Sequence, residues 1–485
     1  MTALAAAFHE RAHFAPSSYR LLPFRFTQLD AERYVATNDV GEYVVLRRDE
    51  LDDFANHRLE ATSPTYRALK TKHFLFDDIS ECALDLLALK QRTRAERIAQ
   101  FTGLHIFVVT LRCDHSCHYC QVSRQTEDRD AFDMSREHAD LALDFAFRSP
   151  SRSIKIEFQG GEPLLNFDII RHVVERAAAL NADGARDIQF VIASNLSRLD
   201  DNHLAFCKRH RVCLSTSLDG SKDLHDAHRP LRGGSSYEAA LAGIRRGRAA
   251  LGHDAVSALM TTTPGSLHRI EEIIDEYVRM GFEGIFLRSL SPYGFAVRTS
   301  LVRRYDVGNW LTFYKRGLAH ILGLGRQGIR LREELTTILL QKMFKAEGSS
   351  YVDLQSPAGI GIGGIVYNYD GAVYASDEGR MLAEMGDHSF RLGALGVDTY
   401  ETMMTSDALV GCLDDTILES SPMCSDCAFA PYCGADPVFH RATQGDHVGH
   451  KALSSFCEKQ MAISRHIIGL LEDDPSARRI MMGWL

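Results

Sequence analysis

Cys113, Cys117 and Cys120 are spaced as Cys-x3-Cys-x2-Cys in the stretch from Leu111 to Gln121. Three thiolates on one short loop can hold three irons of a cubane cluster. Four cysteines are the usual complement, so the fourth iron is left open to a small molecule. An open iron is a place for chemistry. Zinc is the alternative, but structural zinc takes four ligands, and the nearest further cysteine, Cys82, lies before the strand that leads into the loop. A second set, Cys424-x2-Cys427-x5-Cys433 with Cys457 further on, has four thiols. Complete ligation suits electron transfer or structure, and the same spacing suits a tetrahedral zinc as well as a cubane.

Such loops need elements that aim them. Candidate strands are 104–109, 153–158, 188–192, 212–217, 255–260 and 284–287, separated by stretches of helical periodicity such as 136–147 and 237–250. Repeated βα units predict a parallel sheet of α/β class. Six units make a partial (β/α)6 TIM-like barrel, with functional residues on the loops at the carboxyl ends of the strands. The motifs fall there. Gly160-Gly161-Glu162-Pro163 follows the second strand: the glycines let backbone approach a ligand and the carboxylate can bind an ammonium group. The plain alternative is a glycine turn before a proline-started helix. Ser194-Asn195 follows the third strand. The fourth ends in Ser215 to Gly220, with Ser217 and Asp219, and is followed by His225-Asp226 and Arg229; a solvated turn with a helix cap is the alternative. Arg288, ending the sixth strand, either faces the same cavity or makes a structural ion pair.

At the amino end, 33–36 and 42–46 flank the turn Asn38-Asp-Val-Gly, a hairpin pattern. Helices are expected over 49–56 and from Pro64, with Ser63 as N-cap. The 485-residue length suggests about three domains. Eleven cysteines, an odd number with seven in two sets, and a Met1–Pro16 stretch without a basic start or long apolar core predict a reduced, cytoplasmic setting. The net charge of -9 with interspersed signs and no lysine or arginine block speaks against nucleic acid, and no apolar run is long enough to span a bilayer. Cys82, Cys207 and Cys213 read as buried core thiols.

The first cysteine loop, with Tyr119 just before Cys120, resembles the signature of the radical S-adenosylmethionine (radical SAM) superfamily, and residues 160–163 match its Gly-Gly-Glu-Pro motif. The resemblance implies that a [4Fe-4S] cluster on Cys113, Cys117 and Cys120 binds the amino and carboxylate groups of S-adenosylmethionine and cleaves it to a 5′-deoxyadenosyl radical. It assigns cofactor contacts to Tyr119, Gly160, Gly161, Glu162, Pro163, Ser194, Asn195, Ser217, Asp219, Arg229 and Arg288. The second set resembles the SPASM extension of peptide and sulfatase maturases. Cys424, Cys427, Cys433 and Cys457 fit one auxiliary [4Fe-4S] cluster, with zinc as the alternative. The other SPASM cluster is expected to be absent, since Ser376 and Pro437 stand where its cysteines would and the 355–364 stretch has none. Asp377 matches a proton-accepting aspartate of sulfatase maturases, with a turn carboxylate as the alternative. Cys412 is a spare ligand, a reactive thiol able to donate hydrogen, or packing.

The amino-terminal hairpin and helices resemble winged-helix modules that bind leader segments of precursor peptides, adding the peptide as a strand; a plain α+β cap is the alternative. The implied organisation is a winged-helix-like module over 1–100, the radical SAM partial barrel over 101–300, a helical bridge over 301–350 and a cysteine-rich SPASM-like domain over 351–485. Residues 34–43, 117–125 and 424–437 are similar to the His-Xaa-Ser system radical SAM maturases. That implies a precursor peptide or small protein with His-Xaa-Ser repeats, a second radical SAM protein, and a reductant such as flavodoxin or ferredoxin. The expected reaction is hydrogen abstraction followed by crosslinking. Redox-neutral epimerisation, maturation of a folded protein, and non-catalytic peptide binding are the alternatives.

Overall fold

β-rich sequence near the amino end pairs locally, strand with neighbouring strand. In the computed structural model, which describes residues 19–77, 82–349 and 351–485, β1 (Arg25–Gln28), β2 (Arg33–Thr37) and β3 (Tyr43–Arg47) make a three-stranded antiparallel sheet in the order β1-β2-β3. The expected hairpin is β2 and β3; β1 is an added strand. Three helices follow, Arg48–Ala55, Pro64–Thr71 and Cys82–Ala99. Ser63 caps the second by accepting from the Tyr66 amide, with Pro64 in the first turn, as the sequence predicts. Phe54, Leu69 and Phe74 are the fully buried centre of this unit's own core. The Met1–Pro16 reading lies outside the described residues.

The main sheet has eight strands. β4 (Leu104–Thr110), β5 (Ser153–Gly160), β6 (Asp187–Ala193), β7 (Cys213–Ser217) and β8 (Val256–Leu259) are five of the six expected strands, and they run parallel in the order β8-β7-β6-β5-β4. β4 alternates its burial: Phe107 and Val109 join the large core, while Ile106 and Val108 pack in a smaller cluster with Val366 and Tyr374. Both faces are covered, which explains why the segment reads as a continuous apolar run.

The sixth expected strand differs. Only Gly284–Ile285 is extended, and it pairs with Arg332–Glu333 in a separate ladder. The Glu333 carboxylate accepts from the Leu287 amide at 3.2 Å, so a side chain takes the place of a neighbouring strand. The sheet instead grows on its other side. β9 (Gly364–Tyr367) pairs parallel with β4, and β10 (Ala372–Tyr374) and β11 (Arg391–Ala394) continue it antiparallel. Three strands from the stretch expected as the SPASM-like domain therefore extend the central sheet. Among the described residues no helix is long and apolar enough to cross a membrane.

Candidate functional site

The first cysteine loop leaves the carboxyl end of β4, and the next strand end clamps its root. Gly161 donates to the Thr110 carbonyl at 2.8 Å and Glu162 to the Arg112 carbonyl at 2.7 Å. A Cβ on Gly160 would lie 1.9 Å from the Thr110 oxygen, and one on Gly161 2.1 Å from that of Arg112. The two glycines are thus required by the backbone of the cysteine loop itself, a constraint that stands beside the expectation that they let backbone approach a ligand. Pro163 starts a short helical turn, and the Glu162 side chain caps it through the Leu164 amide.

Glu162 is fully buried. It accepts from the Ser194 hydroxyl at 2.7 Å, the Asn195 amide at 2.8 Å and the Leu164 amide at 3.1 Å. Burial still pushes its carboxyl up to about 7 against those bonds. A positive group beside it would hold it ionised, which is what an ammonium ligand supplies. Asn195 also donates to Asp114 at 2.8 Å, and Ser197 donates to the same carboxylate, so the third strand end grips the cysteine loop. Ser217 ends the neighbouring β7.

Behind the loop, the Tyr119 hydroxyl donates to Asp219 at 2.6 Å and accepts from Arg229 at 2.6 Å. Asp219, Arg229 and Tyr119 therefore contact one another and position the loop. Burial pushes the Cys113 and Cys117 thiols up, and neighbouring thiols add to it. Thiolates so placed need a cationic centre, so the residues present fit an iron cluster.

In the second set the thiols lie near enough to act on one another's charge. Burial raises all four thiols, and the charges of Cys427 and Cys457 act on Cys424, those of Cys424 and Cys427 on Cys433. The amino-terminal hairpin braces this loop: Thr37 donates to the Ala428 carbonyl at 2.6 Å, Tyr432 donates to that of Gly41 at 2.9 Å, and Arg25 donates to that of Ser425.

A cavity of about 320 Å³ is lined by none of the seven cysteines but by residues that neighbour them in sequence or follow the strands. Gln159 and Arg288 line it from the strand ends; Asp436 and Lys459, next to the second cysteine set, line it opposite; Asp377 and Glu378 form a further wall. Ser376 and Pro437, the positions where cysteines are missing, also line it. Ser376 caps the helix Asp377–Ala383 and Pro437 opens the helix Pro437–Gln444. Asp377 is held by Arg380 at 3.2 Å. Arg288 lies 3.9 Å from Glu378, so the cavity and ion-pair readings both apply to it.

Other expectations need correction. Cys412 is 2% exposed in the main core, its thiol pushed up to about 12 by burial, and it does not line the cavity. Of its three readings, this burial fits packing. Cys82 is exposed and Cys213 half-buried; of the three expected core thiols only Cys207 is buried. Glu378, Asp353, Asp436 and Lys459 were missed. The signal for Glu378 was its place beside Asp377; for the others no local signal exists.

Residues 107–277 match the Radical SAM superfamily. The chain carries a radical SAM domain and is an enzyme. It is 30% identical over 129 residues to an uncharacterised protein of Methanocaldococcus jannaschii, covering 27% of this chain and 42% of that one. It is 29% identical over 135 residues to the serine-type anaerobic sulfatase-maturating enzyme of Klebsiella aerogenes, covering 27% and 33%. The chain thus spans less than half the length of these relatives. Native anSMEcpe with bound AdoMet shares the fold with a TM-score of 0.61 at 14% identity, over 79% of this chain and 99% of that one. Streptococcus suis SuiB bound to precursor peptide SuiA does so with a TM-score of 0.53 at 12% identity, over 90% and 98%.

Proposed function

We propose that this enzyme is a radical SAM maturase that removes hydrogen from a residue of a ribosomally made precursor peptide and oxidises the product, forming a crosslink. The observation that carries the reading is one cavity lined both by Gln159, which directly precedes Gly160–Glu162, and by Asp436 and Lys459, which directly follow the stretches carrying Cys433 and Cys457. In this reading a substrate residue there is served by a site that starts the chemistry and a site that can take up an electron. When bound, the first cluster with S-adenosylmethionine supplies the 5′-deoxyadenosyl radical. Cys113, Cys117 and Cys120 would hold that cluster, Glu162 would take the ammonium of the cofactor, and Ser194, Asn195 and Ser217 would face its ribose and carboxylate. Tyr119, Asp219 and Arg229 keep the loop in place.

Asp377, oriented by Arg380, is the group we assign to accept a proton as the substrate is oxidised. The burial of Cys412 removes one candidate hydrogen donor for epimerisation. Peptide as substrate class is supported by the fold shared with SuiB, solved with its precursor peptide SuiA, and with anSMEcpe, solved with the Cp18Cys peptide. Leader binding belongs, in this reading, to the amino-terminal sheet, whose edge strand β1 exposes Phe26 and whose following helix exposes Leu84, Leu86 and Leu89.

The test is anaerobic reconstitution with iron and zinc analysis and 5′-deoxyadenosine measurement, for wild type and the Cys113/Cys117/Cys120→Ala variant. About eight irons with cysteine-dependent cleavage support a two-cluster oxidative maturase. About four irons plus one zinc remove the second set from any electron path and turn the reading to redox-neutral modification. Cleavage that persists without the three cysteines overturns the proposal.

A further inference from the structure

The cavity is lined by five carboxylates, Glu157, Asp353, Asp377, Glu378 and Asp436, against two cations, Arg288 and Lys459. Two of the five are already matched by bases: Glu157 by Lys155 at 2.8 Å and Asp377 by Arg380 at 3.2 Å. Asp353, Glu378 and Asp436 remain. Their contacts are a tyrosine hydroxyl to Asp353 (Tyr351, 2.7 Å), the Phe439 amide to Asp436 (2.9 Å), and the long 3.9 Å approach of Arg288 to Glu378. Lys459 spends its ammonium on the Ser289 hydroxyl at 3.0 Å and on the faces of Trp310 and Phe456, both at 5.6 Å. Three carboxylates thus face two cations without a tight ion pair among them, and with all three ionised the enclosure is short of one positive charge.

A second, independent observation points to a ligand. Trp310 and Gln460 line the same cavity and are 1% and 5% exposed, yet the Trp310 Nε1 donor and the Gln460 Oε1 acceptor have no partner among the described residues. Buried polar atoms are ordinarily paired, and an unpaired one costs about 1–3 kcal/mol. A peptide residue with a charged nitrogen answers both needs: its N–H groups meet the carboxylates and the Gln460 oxygen, and its carbonyl meets the indole N–H.

We infer that the cavity selects a substrate residue with a protonated nitrogen in its side chain, lysine, arginine or protonated histidine, and seats that nitrogen among Glu378, Asp353 and Asp436. This rests on the reading of the cavity as the substrate site and adds the substrate class to it. The electrostatics agree. Burial first, then Asp353, Asp377 and Asp436, push the Glu378 carboxyl up to about 8, with Arg288 offsetting them. Asp436 is pushed up to about 6 by burial and Asp353, with Lys459 and Lys451 opposing. An entering cation removes the reason for those protons, so binding near pH 7 releases a proton to solvent.

The test uses the reconstituted holoenzyme with S-adenosylmethionine bound, so that the charges of the cofactor are already accommodated. The probes are the N-acetyl methylamides of lysine, arginine and histidine, with those of norleucine and glutamine as neutral counterparts, titrated calorimetrically in buffers of different ionisation heat. The expected result is that at least one cationic probe binds about tenfold or more tightly than both neutral ones, releases protons, and loses its preference in Glu378→Gln and in Asp353→Asn. The strongest of the three identifies the side chain. Equal binding of norleucine, or a preference that survives both substitutions, overturns the inference. 5′-Deoxyadenosine formation is read separately: cleavage without cation preference sinks this inference alone, while preference without cleavage sinks the radical reading and leaves the cation pocket standing.

Discussion

The two cysteine sets sit in opposite electrostatic company. Around the first, Glu162 and Asp219 add negative charge to Cys113 and Cys117, and Arg229 and Arg124 offset it only at Cys117. Around the second, Lys451, Lys342, Arg25 and Arg465 each act on at least one thiol. The first loop is built for a ligand that brings its own positive charge. The second has basic side chains that act on its thiols, which suits the anionic centre we propose there. Their supports differ likewise: strand ends and a buried Tyr119–Asp219–Arg229 network hold one, and a hairpin from some 400 residues away in sequence braces the other, through the Thr37–Ala428 and Tyr432–Gly41 bonds 391 positions apart.

The largest expected effect breaks one side alone. Cys113/Cys117/Cys120→Ala should lower S-adenosylmethionine cleavage by about 1,000-fold or more and remove about four irons, leaving the metal of the second set in place; iron analysis beside 5′-deoxyadenosine yield checks both. Cys427→Ala should do the converse. Cleavage is expected to stay within about threefold while the second metal and peptide oxidation are lost, and the metal that departs should be iron by elemental analysis.

Tyr119→Phe sharpens the comparison. It removes the hydroxyl shared by Asp219 and Arg229, leaving buried charged groups short of a partner at a cost of about 1–3 kcal/mol. Cleavage should fall about tenfold and thermal stability should drop, with the second set still loaded. Next is the cavity wall that carries Glu378. Folding raises the Glu378 carboxyl from its ordinary 4.5 to about 8, so the folded state keeps a proton that the unfolded chain has released across that range. Its contribution is fully present below pH 4.5 and is lost as pH rises to about 8. Denaturation of the apoprotein at pH 5 and pH 8.5 should show wild type losing about 2 kcal/mol more than Glu378→Gln, after allowance for water in the cavity. The smallest effect is expected for Thr37→Val. Loss of its bond to Ala428 should cost about 1 kcal/mol and speed loss of metal from the second set, with no change at the first.

Much of this was legible in the chain. The hairpin around Asn38-Asp-Val-Gly, the Ser63-Pro64 helix start and five of the six parallel strands were readable because their signals are local: turn residues, a cap and apolar runs. Gly160 and Gly161 were also visible, though the backbone constraint on them was not. Their neighbour is the backbone of Thr110 and Arg112, fifty residues earlier, and a tetrapeptide cannot display what lies against it. β9 was missed because its short run is flanked by the glycines of 359–364, which read as a loop until β4 offers an edge.

By itself the sequence determined the chemistry of the donors: which residues are thiols, how they are spaced on each loop, and that a carboxylate and two glycines follow the second strand. These are properties of neighbours along one chain, where spacing alone sets reach. Tertiary structure decided what surrounds them. It placed Asp353, Glu378, Asp436 and Lys459 around one cavity, buried Cys412 away from it, and set the amino-terminal hairpin against the second cysteine loop. Those outcomes depend on burial and charge shared between segments far apart in sequence, and each segment read alone is compatible with many partners.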